Sequence, residues 1–164
     1  MNLPKLKNDI FNRPQCMRPV LFFLINFILR RTEYLKRTEQ REQAFVLVFE
    51  KIFSDVDNEE LIEIYNDNFE EKVCDYAKII LDGVTSLQNE IDEKISNFSN
   101  GWKVNRLSKI DLALLRLAFF EIDHISDVPS EVSVNECVEL AKKYATTQDA
   151  SFINGILGSY IRSL

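Results

Sequence analysis

An all-α fold is predicted, on three observations. Four Gly and four Pro in 164 residues leave little punctuation for a series of short strands. From residue 38 onward, apolar residues recur at three- and four-residue spacing, the period of a helix with one buried face. Three times a Ser or Thr stands three positions ahead of an acid beside an apolar run, the pairing that satisfies free amides at a helix start. Hydrophobic residues make up 46% of the chain, enough for a packed core rather than a disordered tail.

The first helix is predicted from Thr38 to about Phe53, with Ala44, Phe45, Val48 and Ile52 on one face. The polar stretch DVDNEEL, Asp55 to Leu61, reads as a loop feeding a weaker helix from Glu59 to Asn66. A long helix is expected from Glu70 to Phe98, carrying Val73, Tyr76, Ala77, Ile80, Leu81, Val84, Leu87, Ile91 and Ile95; Gly83 marks close packing or a bend within it. Asn100-Gly101-Trp102 ends it. Ser108 with Asp111, Ser133 with Glu136 after Pro129, and Thr146 with Asp149 are read as capping boxes opening three further helices. In the last, Ser151, Gly155 and Gly158 form a small-residue stripe that would let another helix approach closely. Without that role, mid-helix glycines cost about 1 kcal/mol each.

Charge is distributed unevenly. Residues 1–51 carry ten Lys/Arg against five Asp/Glu, whereas residues 52–164 carry ten against twenty-one. One end is thus suited to meet a polyanion and the body is not; the plain alternative is a solvated helix decorated with arginine. Residues 1–35 also differ in composition. Val20 to Leu29, VLFFLINFIL, is an apolar run too short to span a bilayer, which takes about twenty residues. No small-residue cleavage site follows it, and it has no polar face to lie on a membrane surface.

Catalytic and metal chemistry find little support. His124 is the single histidine and has no cysteine or second histidine at ligand spacing. Four scattered glycines cannot build a phosphate loop, and no Gly-x-Ser-x-Gly occurs. The acid pairs Glu59/Glu60 and Glu70/Glu71 sit on polar faces. No catalytic residue, metal or cofactor is expected, and a binding module is favoured over an enzyme. Cys16, Cys74 and Cys137 are odd in number and far apart, which argues for free thiols in a reducing compartment, hence the cytoplasm.

Three stretches carry a resemblance: REQAFVLVF (Arg41 to Phe49), WKVNRLSKIDLALLRLAFFEI (Trp102 to Ile122) and DVPSEVSVNECVELAKKYATTQDASFINGIL (Asp127 to Leu157). Trp102, Arg106-Leu107, Asp111, Leu115-Arg116-Leu117-Ala118, Pro129, Asn135-Glu136, Glu139 to Lys142 and Phe152-x-Asn154-Gly155 stand in an order and spacing that resemble the NusB family of bacterial transcription antitermination factors. The likeness covers residues 36–164. It implies a bundle of about seven helices in two packed three-helix subdomains. It also implies binding of the boxA element of nascent ribosomal RNA together with ribosomal protein NusE, within the RNA polymerase elongation complex and its other Nus factors, with no membrane role. Residues 1–35 lie outside the family pattern as an N-terminal extension, and the expectation is a start assigned upstream of the native one.

Residue by residue, the likeness implies RNA contacts at Arg37 and Arg41, one helical turn apart; at the aromatic positions Phe49, Tyr144 and Phe152; and at Lys142 and Lys143, which also complement a helix C-terminus. Phe49 stands where the family usually has tyrosine. Arg41 shares its face with Ala44 and Val48, so a structural ion pair is the competing role, and Phe152 competes as core. Asp111 is implied on the partner-protein side, besides serving as a cap. Two other readings stand beside this one. A similar domain forms the N-terminal part of some ribosomal RNA cytosine methyltransferases, which would make the chain a piece of a longer protein. A helical protein-interaction module without RNA is the other.

Overall fold

A computed structural model describes residues 35–164 apart from Asn100; the expectations for residues 1–34 fall outside the described residues. Seven α-helices follow one another among the described residues: α1 Arg37–Lys51, α2 Asn58–Asn68, α3 Asp75–Ser86, α4 Gln88–Phe98, α5 Lys109–His124, α6 Ser130–Tyr144 and α7 Thr147–Ile161, with a 3-10 turn Val104–Arg106 before α5. None of them is long and apolar enough to cross a membrane. The all-α expectation holds.

Two helices run through the middle. In α1 every residue from Arg41 to Phe49 is buried, and in α5 every residue from Asp111 to Glu121. A helix covered all round must lie inside, with other helices wrapped about it. Packing against α1 are α2, α3 and α5, whereas α4, α6 and α7 pack against α5, and α6 against α7. The α1–α5 contact therefore joins an N-terminal and a C-terminal group of helices.

Burial on all sides puts pressure on the polar groups of these helices to find partners inside the protein, and most of the long ones do. Gln43 does so with backbone. Its Nε2 donates to Lys72 O at 3.1 Å and its Oε1 accepts from Cys74 N–H at 2.8 Å, which pins the segment before α3. Arg116 donates twice to Asp92, from Nε at 2.8 Å and Nη2 at 2.7 Å, tying α5 to α4. Tyr160 OH donates to Asp123, which also pairs with Lys94 at 2.8 Å, so α4, α5 and α7 meet at one carboxylate.

Several boundaries differ from the sequence reading. The long helix expected from Glu70 is instead two, separated at Leu87 (φ −104, ψ 16). Thr85 and Ser86 immediately before the break donate their hydroxyls to Leu81 O and Asp82 O, a local competition with helix propagation. The bend lets α4 lie back on α5. Gly83 lies within α3, and a Cβ there would sit 2.0 Å from Phe120 Cζ, so close packing is its role. Ser108 and Thr146 do cap α5 and α7, and Thr146 with Asp149 forms the full reciprocal box. Ser133 does not cap: α6 begins at Ser130 after Pro129, and Ser133 is buried inside its first turns. Glu136 reaches Arg41 instead of turning back to the backbone. The small-residue stripe also departs from expectation. Nothing lies within 4 Å of a Cβ at Gly155, and only the Arg162 side chain does at Gly158, so no helix packs there among the described residues.

Candidate nucleic-acid interface

The residues singled out by sequence divide into a surface set and a buried set. Arg37 opens α1, where Glu39 accepts from the Lys36 N–H at 2.8 Å and holds the helix start. Its guanidinium lies over the Tyr76 ring, 4.6 Å from the centroid, reaches Asp127 at 3.5 Å, and donates to Gln40 Oε1 at 3.2 Å. About half of the side chain (48%) remains exposed. Tyr76 gives the cation a platform on α3 without neutralising it, a contact worth about 0.5–1 kcal/mol at an exposed site.

Arg41, one turn on, is buried. Its Nε donates to both Glu121 oxygens at 3.1 and 3.0 Å, Nη2 to Glu121 Oε1 at 2.7 Å, and Nη1 to Glu136 Oε2 at 2.9 Å. Tyr76 OH donates to the same Glu121 carboxylate. All three guanidinium nitrogens are engaged inside the protein, leaving none turned to a phosphate. Of the two roles open to Arg41, this geometry is that of the ion pair, and it joins α1, α3, α5 and α6. The sequence carried both halves of the pair, but Glu121 is eighty positions away and nothing local linked them.

At the far end of α6, Lys142 is exposed and pairs with Glu139 at 2.6 Å. Lys143 reaches back to Glu42 on α1 at 2.7 Å, and Tyr144 OH donates to that same carboxylate. Burial pushes the Glu42 carboxyl up, against the pull of Lys143. The Tyr144 ring rests on Phe45 at 5.1 Å and is only partly covered. Phe49, by contrast, is buried between Phe45 and Phe53 at 6.1 and 5.2 Å, so a base has no access to its ring. The accessible member of that row is Phe53. Arg37 thus stands where α1 begins, beside Tyr76 of α3 and Asp127 ahead of α6, whereas Lys143 and Tyr144 come from the opposite end of α6 to Glu42 and Phe45 of α1; Arg41 and Phe49 are buried within α1. Tyr76 reads in sequence only as part of an apolar face, and Glu42 carries no signal; their contacts to Arg37 and to Lys143 and Tyr144 emerge in the fold.

Phe152 and Asp111 lie elsewhere, where α5 and α7 begin. Phe152 is half-buried, with its ring 6.2 Å from Trp102 at 66°. Asp111 is buried beneath the Ser108 cap, and its Oδ1 has no hydrogen-bond partner. Burial pushes its carboxyl above the ordinary value of 3.8, with Asp149 adding a smaller push the same way. The charged form is therefore penalised in the fold. Stability is fullest below the ordinary aspartate value and is lost as pH rises through the folded one. Asp111→Asn is expected to raise the melting temperature at pH 7 by a few degrees. The gain should vanish below about pH 4; equal gains at pH 3 and pH 7 in a scanning-calorimetry series would contradict it.

No group of three or more His, Cys, Asp or Glu is disposed to hold a metal among the described residues. Cys74 and Cys137 are free thiols; Cys74 Sγ caps α3, and burial pushes the Cys137 thiol up, away from reactivity.

Comparison with known proteins gives a consistent result. Residues 33–162 match the model of the NusB family. The transcription antitermination protein NusB of Acetivibrio thermocellus is 44% identical over 132 residues, spanning 77% of this chain and 88% of that protein. Its counterpart in Clostridium botulinum strain Hall is 38% identical over 143 residues, 77% of this chain and 100% of that one. Among solved structures, T. maritima NusB superposes with a TM-score of 0.70 at 32% identity, covering 79% of this chain and 93% of that chain. A complex of antitermination factors NusB and NusE with dsRNA superposes at 0.69 and 24% identity, covering 78% and 97%, a likeness of fold.

Proposed function

The chain belongs to the NusB family, and from that premise we propose that it is a transcription antitermination factor. In this reading it binds the boxA element of nascent ribosomal RNA together with ribosomal protein NusE, in the cytoplasm. That complex joins elongating RNA polymerase with the other Nus factors. The observation that carries the reading is a match spanning nearly all the described helices, to relatives named as transcription antitermination proteins.

The surface chemistry supports it. Arg37, Lys142 and Lys143 offer phosphate contacts, and Tyr144 and Phe152 offer partly exposed rings for unpaired bases. Arg41 and Phe49 are assigned to the support of that surface. Asp111, buried beneath the Ser108 cap, is assigned to the partner-protein side by the family likeness alone.

Affinity is expected to be weak for the protein alone, because the body repels phosphates within about 8 Å at physiological salt. Three or four phosphate contacts on single-stranded RNA give a log–log salt slope of about −2 to −3, which a basic partner should steepen. Titration of boxA-like RNA, with and without NusE, tests the reading. Arg37→Ala should weaken binding and flatten the slope by about 0.7 without changing helix content. Variants at Arg37 and Lys142/Lys143 that bind with NusE as tightly as the parent at every salt concentration would sink it.

A further inference from the structure

From Ser99 to Ile110, between α4 and the start of α5, the chain carries Lys103, Arg106 and Lys109 and no Asp or Glu. All three cations are exposed, and none forms an ion pair among the described residues. That is unusual on a body with ten Lys/Arg against twenty-one Asp/Glu after residue 51, where a carboxylate is seldom far away. Lys109 also occupies the first position of α5, where the helix dipole disfavours a cation. No carboxylate of the described residues offsets these charges, which leaves them open to an anion outside the chain.

Beside them stands Trp102. It is 55% exposed, and among the described residues its ring meets one other, the T-shaped contact with Phe152. The loop that presents it is fixed from within. Trp102 N–H donates to Ser99 O at 3.1 Å, the buried Ser99 hydroxyl donates to Trp102 O at 2.6 Å, and Gly101 takes the positive φ (+87) of the turn. Arg106 N–H donates to Lys103 O at 2.8 Å and Leu107 plugs the core, so the cations ride on a formed 3-10 turn. An exposed indole among unpaired cations, on a loop that needs no ordering, fits single-stranded nucleic acid: a base stacks on the ring and flanking phosphates meet the cations.

We propose that Trp102, Lys103, Arg106 and Lys109 form a second single-stranded RNA contact, reached by RNA that passes Phe152. It rests on the RNA-binding reading above. An acidic protein segment would use the cations but gains little from an exposed indole, whereas unpaired bases use both. Duplex RNA keeps its bases stacked on one another and has none to offer the ring.

Trp102 is the only tryptophan, so its emission reports this loop alone. The full chain is titrated at low salt with a short 5′-labelled single-stranded oligouridylate and with boxA-like RNA, following both label anisotropy and tryptophan emission. Bound RNA should quench Trp102. Trp102→Ala should weaken binding about tenfold, the scale of one stacked base, and Trp102→Phe should recover most of it. Joint replacement of Lys103, Arg106 and Lys109 by Ala should make the salt slope shallower by about 2. RNA bound with Trp102 emission and the triple variant's slope unchanged overturns the second contact and leaves the first reading standing. No RNA bound at any salt, with or without NusE, removes both. Loss of NusE binding by the triple variant, with RNA binding intact, makes the loop a protein interface and overturns the proposal.

Discussion

Arg41→Ala is expected to lower the melting temperature by roughly 10–20 °C. The substitution leaves the fully buried Glu121 with the Tyr76 hydroxyl as its hydrogen-bond donor, and takes from Glu136 its contact to α1. Breaking a buried ion pair from one side costs about 3–5 kcal/mol, because the orphaned charge keeps its desolvation penalty and loses its compensation. For a domain of this size each kcal/mol is worth about 3–5 °C. Arg41→Met with Glu121→Leu should recover most of the loss, since apolar groups of similar volume remove both charges together. The same experiment settles what Arg41 is for. At low temperature, where the variant is folded, its affinity for RNA should equal the parent's. A variant that melts with the parent yet binds RNA less well would place Arg41 on the RNA surface instead.

Gly83 and Gly155 should answer the same substitution with opposite signs. Alanine is intrinsically better in a helix interior by about 1 kcal/mol. At Gly155 nothing stands within 4 Å of the new methyl group, so Gly155→Ala should gain about 0.5–1 kcal/mol in urea unfolding. At Gly83 the methyl group would overlap the Phe120 ring, with three ring carbons within 2.9 Å. Phe120 is itself buried and cannot swing into water. Overpacking costs about 1–3 kcal/mol or more and should outweigh the helix gain. Gly83→Ala should therefore destabilise, and Phe120→Leu in the same chain should relieve part of the loss. Equal and positive effects at both glycines would mean that α3 and α5 are not in contact there.

Much of the helical architecture was legible in the residues. The apolar spacing of α5 and α7 and the caps at Ser108 and Thr146 are local signals, read within a turn or two, and they located those helices well. The break at Leu87 had a local signal too, in the Thr85–Ser86 hydroxyls, but uninterrupted apolar spacing from Val73 to Ile95 masked it. Ser133 failed as a cap because a capping box and a mid-helix Ser/Glu pair are identical in sequence; Arg41, distant along the chain, took the glutamate.

The candidate site divides the same way. Charge asymmetry and the ordered motifs pointed to a polyanion at one end, and Arg37, Lys142, Lys143 and Tyr144 lie at or near the surface. Arg41 and Phe49 could not be sorted by spacing, because α1 is covered on every side and its polar and apolar faces are not opposed. What the sequence determined alone is what depends on near neighbours: helix period, caps, net charge and the ordered motifs that carry the family likeness. Only the tertiary structure decided which cation is spent on Glu121 and which stays on the surface. An ion pair forms between groups close in space, and helices brought together by burial set that distance whatever the separation along the chain.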